Sequence, residues 1–153
     1  MKNVTFDFDD TISLHVIDDP VPNFTIIEKI KEHQKAGDRV SLLTTRMDNS
    51  MDFVKEFIKE YDLSFDNIWN TNFEWKLADI IKKNIDIHYD DNPYELYNIQ
   101  HNDTCIERGV QTFFVVGKDM YEYNPRDKDK KLPLYIDIIF HRNLRISPRG
   151  GWA

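Results

Sequence analysis

One stretch constrains the fold more than any other: Val4-Thr-Phe-Asp7-Phe-Asp9-Asp10-Thr11, a short apolar run that stops abruptly in acids. It reads as a buried strand delivering carboxylates to its carboxyl end. A strand alternates its side chains, so Asp7 and Asp9 share a face while extension lasts, and the turn after Asp9 lets both converge on one ligand. Convergent carboxylates with no base beside them suit a hard cation such as Mg²⁺, which takes oxygen ligands and keeps several waters. The competing reading is a solvated Asp-rich turn where a strand ends.

The rest of the chain repeats a strand-then-helix rhythm. Asp18, Asp19, Pro20 and Pro22 predict a loop over 12–22. A helix follows from an Asn23 cap to about Ala36, with Ile26, Ile27 and Ile30 on one face and Gly37 as its stop. Residues 39–44 form a second strand. A helix over 50–61 carries Val54, Phe57, Ile58 and Tyr61 at helical spacing. Residues 65–70 form a third strand. Lys76 opens a helix with Leu77, Ile80 and Ile81 inward and Asn84 as its stop. Residues 85–89 are a fourth strand ending in Asp90-Asp91, and Asn92-Pro93 caps the next helix. After Gly109, residues 111–116 are the fifth strand. This alternation predicts an α/β fold, a Rossmann-like, doubly wound, mainly parallel sheet with helices on both faces.

The character changes after Gly117. A polar loop over 124–131 precedes Leu134–Phe140, read as a strand whose Leu134, Ile136, Ile138 and Phe140 share one apolar face. Such a face must pack on the body or on a second subunit, which allows a homodimer through 134–140. The expected division is a core over 1–117 and a basic C-terminal β extension over 118–153, within a single domain. The net charge of −7 supports the division, since residues 1–117 hold 12 Lys/Arg against 22 Asp/Glu and residues 118–153 hold 8 against 5. An acidic body that binds phosphate needs a cation to overcome its own field. The basic tail could supply one, or simply pair with the body. No apolar run approaches the roughly 18 residues of a membrane span. The chain enters its first strand without a signal-like segment, and its one cysteine, Cys105, cannot form an internal disulfide. An intracellular, cytoplasmic protein is expected, with no membrane partner.

In doubly wound sheets, ligands bind beyond the carboxyl ends of the strands. Those ends carry Asp7 and Asp9, Thr44, and Asp90 and Asp91, while Lys76 opens the helix after the third strand. The order is paired acids, hydroxyl, lysine, paired acids. With these residues in that order, residues 3–117 resemble the haloacid dehalogenase superfamily of phosphohydrolases. Asp7-Phe-Asp9-Asp-Thr11 is similar to its first motif, Leu42-Leu43-Thr44 to its second, Lys76 to its third and Tyr89-Asp90-Asp91 to its fourth. The resemblance implies a sheet order of 5-4-1-2-3, counting the five expected strands.

It also implies a chemistry. Mg²⁺ is held by Asp7, Asp9 and Asp90, with Asp91 anchoring a water or orienting its neighbour. Asp7 attacks phosphorus to give an aspartyl-phosphate, and Asp9 protonates the leaving oxygen and then activates water. Thr44 and Lys76 hold phosphoryl oxygens. Asp9 favours hydrolysis of a phosphate ester, because dehalogenase members lack an acid there. Thr45, Arg46 and Trp75 are candidate substrate contacts. Asp10, where many relatives carry glycine, reads as a solvated turn residue, and His88 as a packed or hydrogen-bonded one.

Only 32 residues (12–43) separate the first two motifs and 31 (45–75) the next two, so no cap domain is expected and bulky substrates have access. Trp69 and Trp75, expected at the rim, offer stacking faces for bases, and Arg142, Arg145 and Arg149 a possible phosphate track; core packing and pairing with the acidic body are the alternatives. The expected function is a Mg²⁺-dependent phosphomonoesterase acting on a phosphorylated small molecule such as a nucleotide, or on a nucleic-acid end. A sugar-phosphate or phosphoprotein phosphatase, or a catalytically weak protein that binds through its basic tail, are the alternatives.

Overall fold

The computed structural model describes residues 1–16 and 19–143. A mixed α/β fold surrounds a six-stranded, mostly parallel sheet. The elements are β1 (Asn3–Phe6), β2 (Ser13–Val16), β3 (Asp19–Pro22), α1 (Phe24–Lys35), β4 (Arg39–Thr44), α2 (Met51–Glu60) and β5 (Asn67–Asn70), then α3 (Leu77–Lys82), β6 (Ile87–Asp90), α4 (Pro93–Gln100), α5 (Asp103–Arg108), β7 (Gln111–Val116), β8 (Asp119–Tyr123) and α6 (Leu134–Ile138). The large sheet runs β5-β4-β1-β6-β7-β8, and β2 pairs with β3 separately.

Alternation along the strands splits the apolar residues between two faces. Leu42 joins Phe6, Phe8, the Ile26-Ile27-Ile30 face of α1 and the Val54-Phe57-Ile58 face of α2. Its neighbour Leu43 packs the other way, with Ile80 of α3, Ile99 of α4 and Cys105 of α5. Local signals end the helices as expected: Gly37 after α1 has φ +86°, Asn84 after α3 φ +52°, and Gly109 after α5 φ +70°. At α4 the Asn92 side chain accepts the Tyr94 N–H at 3.0 Å.

Four expectations need correction. The segment 12–22 contains a hairpin, not a plain loop. Pro20 and Pro22 stand opposite His15 and Ser13, so two prolines two residues apart point their donor-less nitrogens to the same open side of a two-stranded ribbon. The exact order 5-4-1-2-3 is not the order along the whole chain: the hairpin takes two strand numbers and an unforeseen antiparallel strand, β8, is added outside β7. Residues 3–6 still lie between 39–44 and 87–90. The helical stretch that Gly109 stops is a separate short helix, α5, and not a continuation of α4, a break that was not anticipated.

The fourth correction concerns 134–140, which is helical. The Pro133 carbonyl accepts the N–H groups of Ile136 and Asp137 at 2.9 and 2.8 Å. Ile136 and Phe140, four apart, go inward with Leu96, Phe114 and Tyr123, and Phe140 stacks on Tyr123 at 3.9 Å between ring centroids. Leu134 turns outward, 75% exposed. A supposed one-faced strand is thus a helix covering its own chain, and a dimer through a strand here has no strand to form it. The side chains of Arg142, Arg145 and Arg149 lie outside the described residues. No helix among the described residues is long and apolar enough to cross a membrane.

Candidate functional site

The carboxyl ends of β1 and β6 lie side by side, since the Asp7 N–H donates to the Tyr89 carbonyl at 2.9 Å. That pairing puts Asp7 next to Asp90 although they are far apart in sequence. Lys76 enters from the N-terminal end of α3, wholly buried, and its Nζ donates to Asp7 Oδ1 and to Asp90 Oδ2, both at 2.7 Å. Asp90 is held on both oxygens: Oδ1 accepts the Asn92 N–H at 2.9 Å, and Oδ2 also receives His88 Nε2 at 2.8 Å. Asp7 Oδ2 accepts the Thr11 hydroxyl at 3.3 Å.

Asp7, Asp90 and Asp91 each bring an oxygen within 4.8 Å of the others. Ligand oxygens about 2.0–2.1 Å from a Mg²⁺ ion stand roughly 3–4 Å apart, so this all-oxygen set fits such an ion after shifts of about an ångström. Burial raises the pKa of Asp7 and nearby Asp90 adds to it, against the pull of Lys76. Burial, Asp7 and Asp90 together push Asp91 up to about 10. Burial acts on Asp90 in the same sense, but Lys76 and His88 outweigh it and hold that carboxyl well below its ordinary value. Burial opposes the Lys76 charge, yet Asp7, Asp90 and Glu95 overcome it and raise its pKa. The site is therefore short of positive charge, with one ammonium among several carboxylates. A cation would relieve that imbalance.

The other candidate residues are placed as follows. Asp9 is not in the carboxylate group; its side chain is 37% exposed and its Oδ1 lies 3.4 Å from Arg46 Nη1. The turn after Phe8 swings Asp9 sideways, so the structure brings together Asp7, Asp90 and Asp91 but not Asp9 as a fourth carboxylate. Asp10 takes φ +59° in that turn, which explains why a residue tolerant of the left-handed region stands there. Arg46 lies over the rings of Phe53 and Phe8, its Nε donates to Ser50, and Asn70 holds its backbone on both sides.

Thr45 lines an open cleft of about 400 Å³ together with Asp7, Asp9, Lys76, Asp91 and Tyr94. Thr44 is wholly buried, and its hydroxyl has no partner among the described residues. Trp75 is half-buried beside Lys76. Trp69 is not at the rim: it packs against the buried cluster of Leu43, Ile80 and Ile85, with Lys83 Nζ 5.0 Å from its ring, and shares a cavity with Asn3 and Arg39 at the opposite ends of the strands. Beyond Asp10 and Asp91, a second hollow of about 450 Å³ continues between the β2–β3 hairpin and the end of β7, with Leu14 and Val116 in its wall.

Sequence reasoning missed Glu95. It stands three residues after the Asn92 cap, where a glutamate normally reaches back to the cap's own N–H. That N–H is taken by Asp90, so Glu95 instead accepts the Lys76 backbone N–H at 3.2 Å and fixes the start of α3. Its burial pushes its pKa up to about 7. The Asn-x-x-Glu spacing was the available signal, but its partner could not be read from it.

No protein-family model and no curated protein sequence matches the chain. Solved structures that share its fold include two of the Pnkp1/Rnl/Hen1 complex. A chain in the structure of the Pnkp1/Rnl/Hen1 RNA repair complex superposes with a TM-score of 0.55 at 16% identity, over 74% of this chain and 42% of that one. A chain in a structure of the Pnkp1/Rnl/Hen1 complex gives 0.63 at 17% identity, over 77% and 47%. This chain spans less than half the length of either match.

Proposed function

We propose that the chain is a Mg²⁺-dependent phosphomonoesterase of the haloacid dehalogenase type, a capless, doubly wound member that acts on nucleotides or nucleic-acid ends. One observation carries the reading: a buried lysine bridges Asp7 and Asp90 at 2.7 Å each, at the carboxyl ends of two adjacent parallel strands, with a third carboxylate in reach. A buried lysine confined this way is costly as scaffolding alone and useful where negative charge gathers.

Asp7, Asp90 and Asp91 would hold the ion, which supplies positive charge that lets an anionic nucleophile approach an anionic ester. Asp7 Oδ attacks phosphorus, forming a P–O bond as the bond to the leaving oxygen breaks. Asp9, at the cleft wall, gives that oxygen its proton. It then takes a proton from a water whose oxygen attacks the aspartyl-phosphate, releasing inorganic phosphate and restoring Asp7. Lys76 holds Asp7 in place and neutralises part of the charge that builds up. A buried hydroxyl without a partner costs about 1–3 kcal/mol, which suits Thr44 as a donor waiting for a phosphoryl oxygen. Thr45 lines the same opening, Arg46 reaches Asp9 in its wall, and Trp75, next to Lys76 in the chain, is the third substrate contact.

The substrate class rests on the open cleft, on its apolar continuation past Asp91, and on the RNA repair setting of the fold neighbours. The test is turnover of nucleoside 3′- and 5′-monophosphates, a 3′-phosphorylated oligonucleotide, an aryl phosphate and sugar phosphates, each with and without Mg²⁺. Metal-dependent release of phosphate that disappears in Asp7→Asn is expected. Equal rates in wild type and Asp7→Asn would remove the mechanism, and preference for sugar phosphates would remove the substrate class.

A further inference from the structure

His88 is wholly buried on β6 and has no place in the chemistry proposed above. Its ring is nonetheless held at both nitrogens: Nδ1 lies 2.7 Å from Thr5 Oγ1 and Nε2 lies 2.8 Å from Asp90 Oδ2. Thr5 is also wholly buried, on the adjacent strand β1, and its register partner is His88 itself. The hydroxyl proton of Thr5 has one acceptor among the described side-chain and backbone contacts, which is Nδ1. A ring that accepts at Nδ1 must carry its N–H on Nε2, directed at Asp90.

We infer that His88 is a positioning residue: Thr5 fixes it as the Nε2–H tautomer, and it in turn fixes the Asp90 carboxylate for the cation. The inference rests on the metal-dependent reading of the site and adds a role that reading does not need. Asp90 Oδ2 is saturated by Lys76 and His88, while Oδ1 takes a single backbone N–H from Asn92. The carboxylate plane is thereby set, and the remaining lone pair of Oδ1 is the one free to serve a ligand. Hydrogen-bond partners of this kind orient metal-binding carboxylates and tune their affinity.

Two substitutions separate donor from filler. His88→Gln keeps an N–H near the Nε2 position, whereas His88→Leu keeps only bulk. Mg²⁺ affinity, measured by titration calorimetry on the full chain, should fall about 10–100-fold in His88→Leu and stay within a few-fold of wild type in His88→Gln. The ¹⁵N spectrum of the wild-type imidazole should show the Nε2–H tautomer. Thr5→Val, nearly isosteric, should mix the tautomers and weaken Mg²⁺ binding in a fold that circular dichroism shows to be intact.

Wild-type Mg²⁺ affinity in both His88→Leu and Thr5→Val would overturn the inference, as would an Nδ1–H ring in the wild type. His88→Gln binding as poorly as His88→Leu would overturn it too, since bulk and not donation would then matter. Should His88→Leu fail to fold, Thr5→Val and the spectrum decide. Failure of the enzymatic reading looks different: Mg²⁺ binds with the expected His88 and Thr5 dependence, and no phosphate ester is turned over.

Discussion

Replacing Lys76 with methionine removes the cation that bridges Asp7 and Asp90 while preserving most of its length. The Lys76 side chain is 2% exposed and bridges two carboxylates that are 7% and 0% exposed. Removing one partner from a buried ion pair costs about 3–5 kcal/mol, because the charges left behind have neither water nor a counterion. At about 2–4 °C per kcal/mol for a chain of this size, Lys76→Met should lower Tm by roughly 6–20 °C. Asp7→Asn should do the opposite. The folded pKa of Asp7 is raised above its unfolded value, so its ionised form weakens the fold increasingly as pH rises past the unfolded pKa. A neutral amide of the same shape removes that penalty at pH 7 and still accepts from Lys76. Its metal-free Tm should equal or exceed wild type. Thermal unfolding followed by circular dichroism in EDTA measures both. Mg²⁺ at about 100 times its Kd should then add about 2.7 kcal/mol to the wild type and far less to Asp7→Asn. Lys82→Ala, on the exposed side of α3, is the control. A Lys76→Met protein within about 2 °C of wild type, the effect of 1 kcal/mol or less, would refute the charge-balance reasoning. So would an Asp7→Asn protein destabilised as much as Lys76→Met.

Phe140→Ala should cost about 3–5 kcal/mol, because the ring fills the space between Tyr123 and Phe114; denaturant unfolding with an unchanged midpoint would place the ring outside the core. A chain ended at Gly117 loses β8 and α6 together, exposing Phe114 and the open edge of β7, and should aggregate in sedimentation; a soluble monomer of full stability would contradict this. Asp38 accepts from His33 at 2.9 Å and from the Lys2 N–H at 3.0 Å, and these bonds, His33 first, hold its pKa below the ordinary value. Its contribution is present above the unfolded pKa of about 3.9 and is lost as pH falls through the folded one, so Asp38→Asn should flatten the acid limb of stability against pH; an unchanged limb would count against it.

What the sequence made legible was whatever local punctuation decides. Strand ends at Asp7 and Asp90, helix stops at Gly37, Asn84 and Gly109, and the Asn92 cap each depend on a few neighbouring residues. The misreadings came where a distant partner chooses. Residues 134–140 alternate like a strand, yet Ile136 and Phe140 are also four apart, and only the hollow beside Tyr123 selects the helix. Asp9 shares a strand face with Asp7 on paper, but Arg46, 37 residues away, receives it. Trp69 points to α3 because alternation on β5 sends it there, away from the cleft that Thr45 lines. The prolines of the hairpin argued against pairing because nothing in the sequence reveals that one side of the ribbon is open.

The position of β1 bears on how the molecule is assembled. Its two neighbours come from residues 39–42 and 87–89, whereas β6, β7 and β8 pair across much shorter separations and β4 finds β5 within one helix of itself. The earliest of these strands to be made therefore waits through the greatest length of chain for its second neighbour. Its Val4 and Phe6 must wait, uncovered, until β6 has been synthesised, and pairing over such long loops is slow and open to competing contacts. Asp7 and Asp90 meet across Lys76 only when that closure occurs, so a chain arrested before residue 90 would carry its first helices and turns and no reaction centre at all.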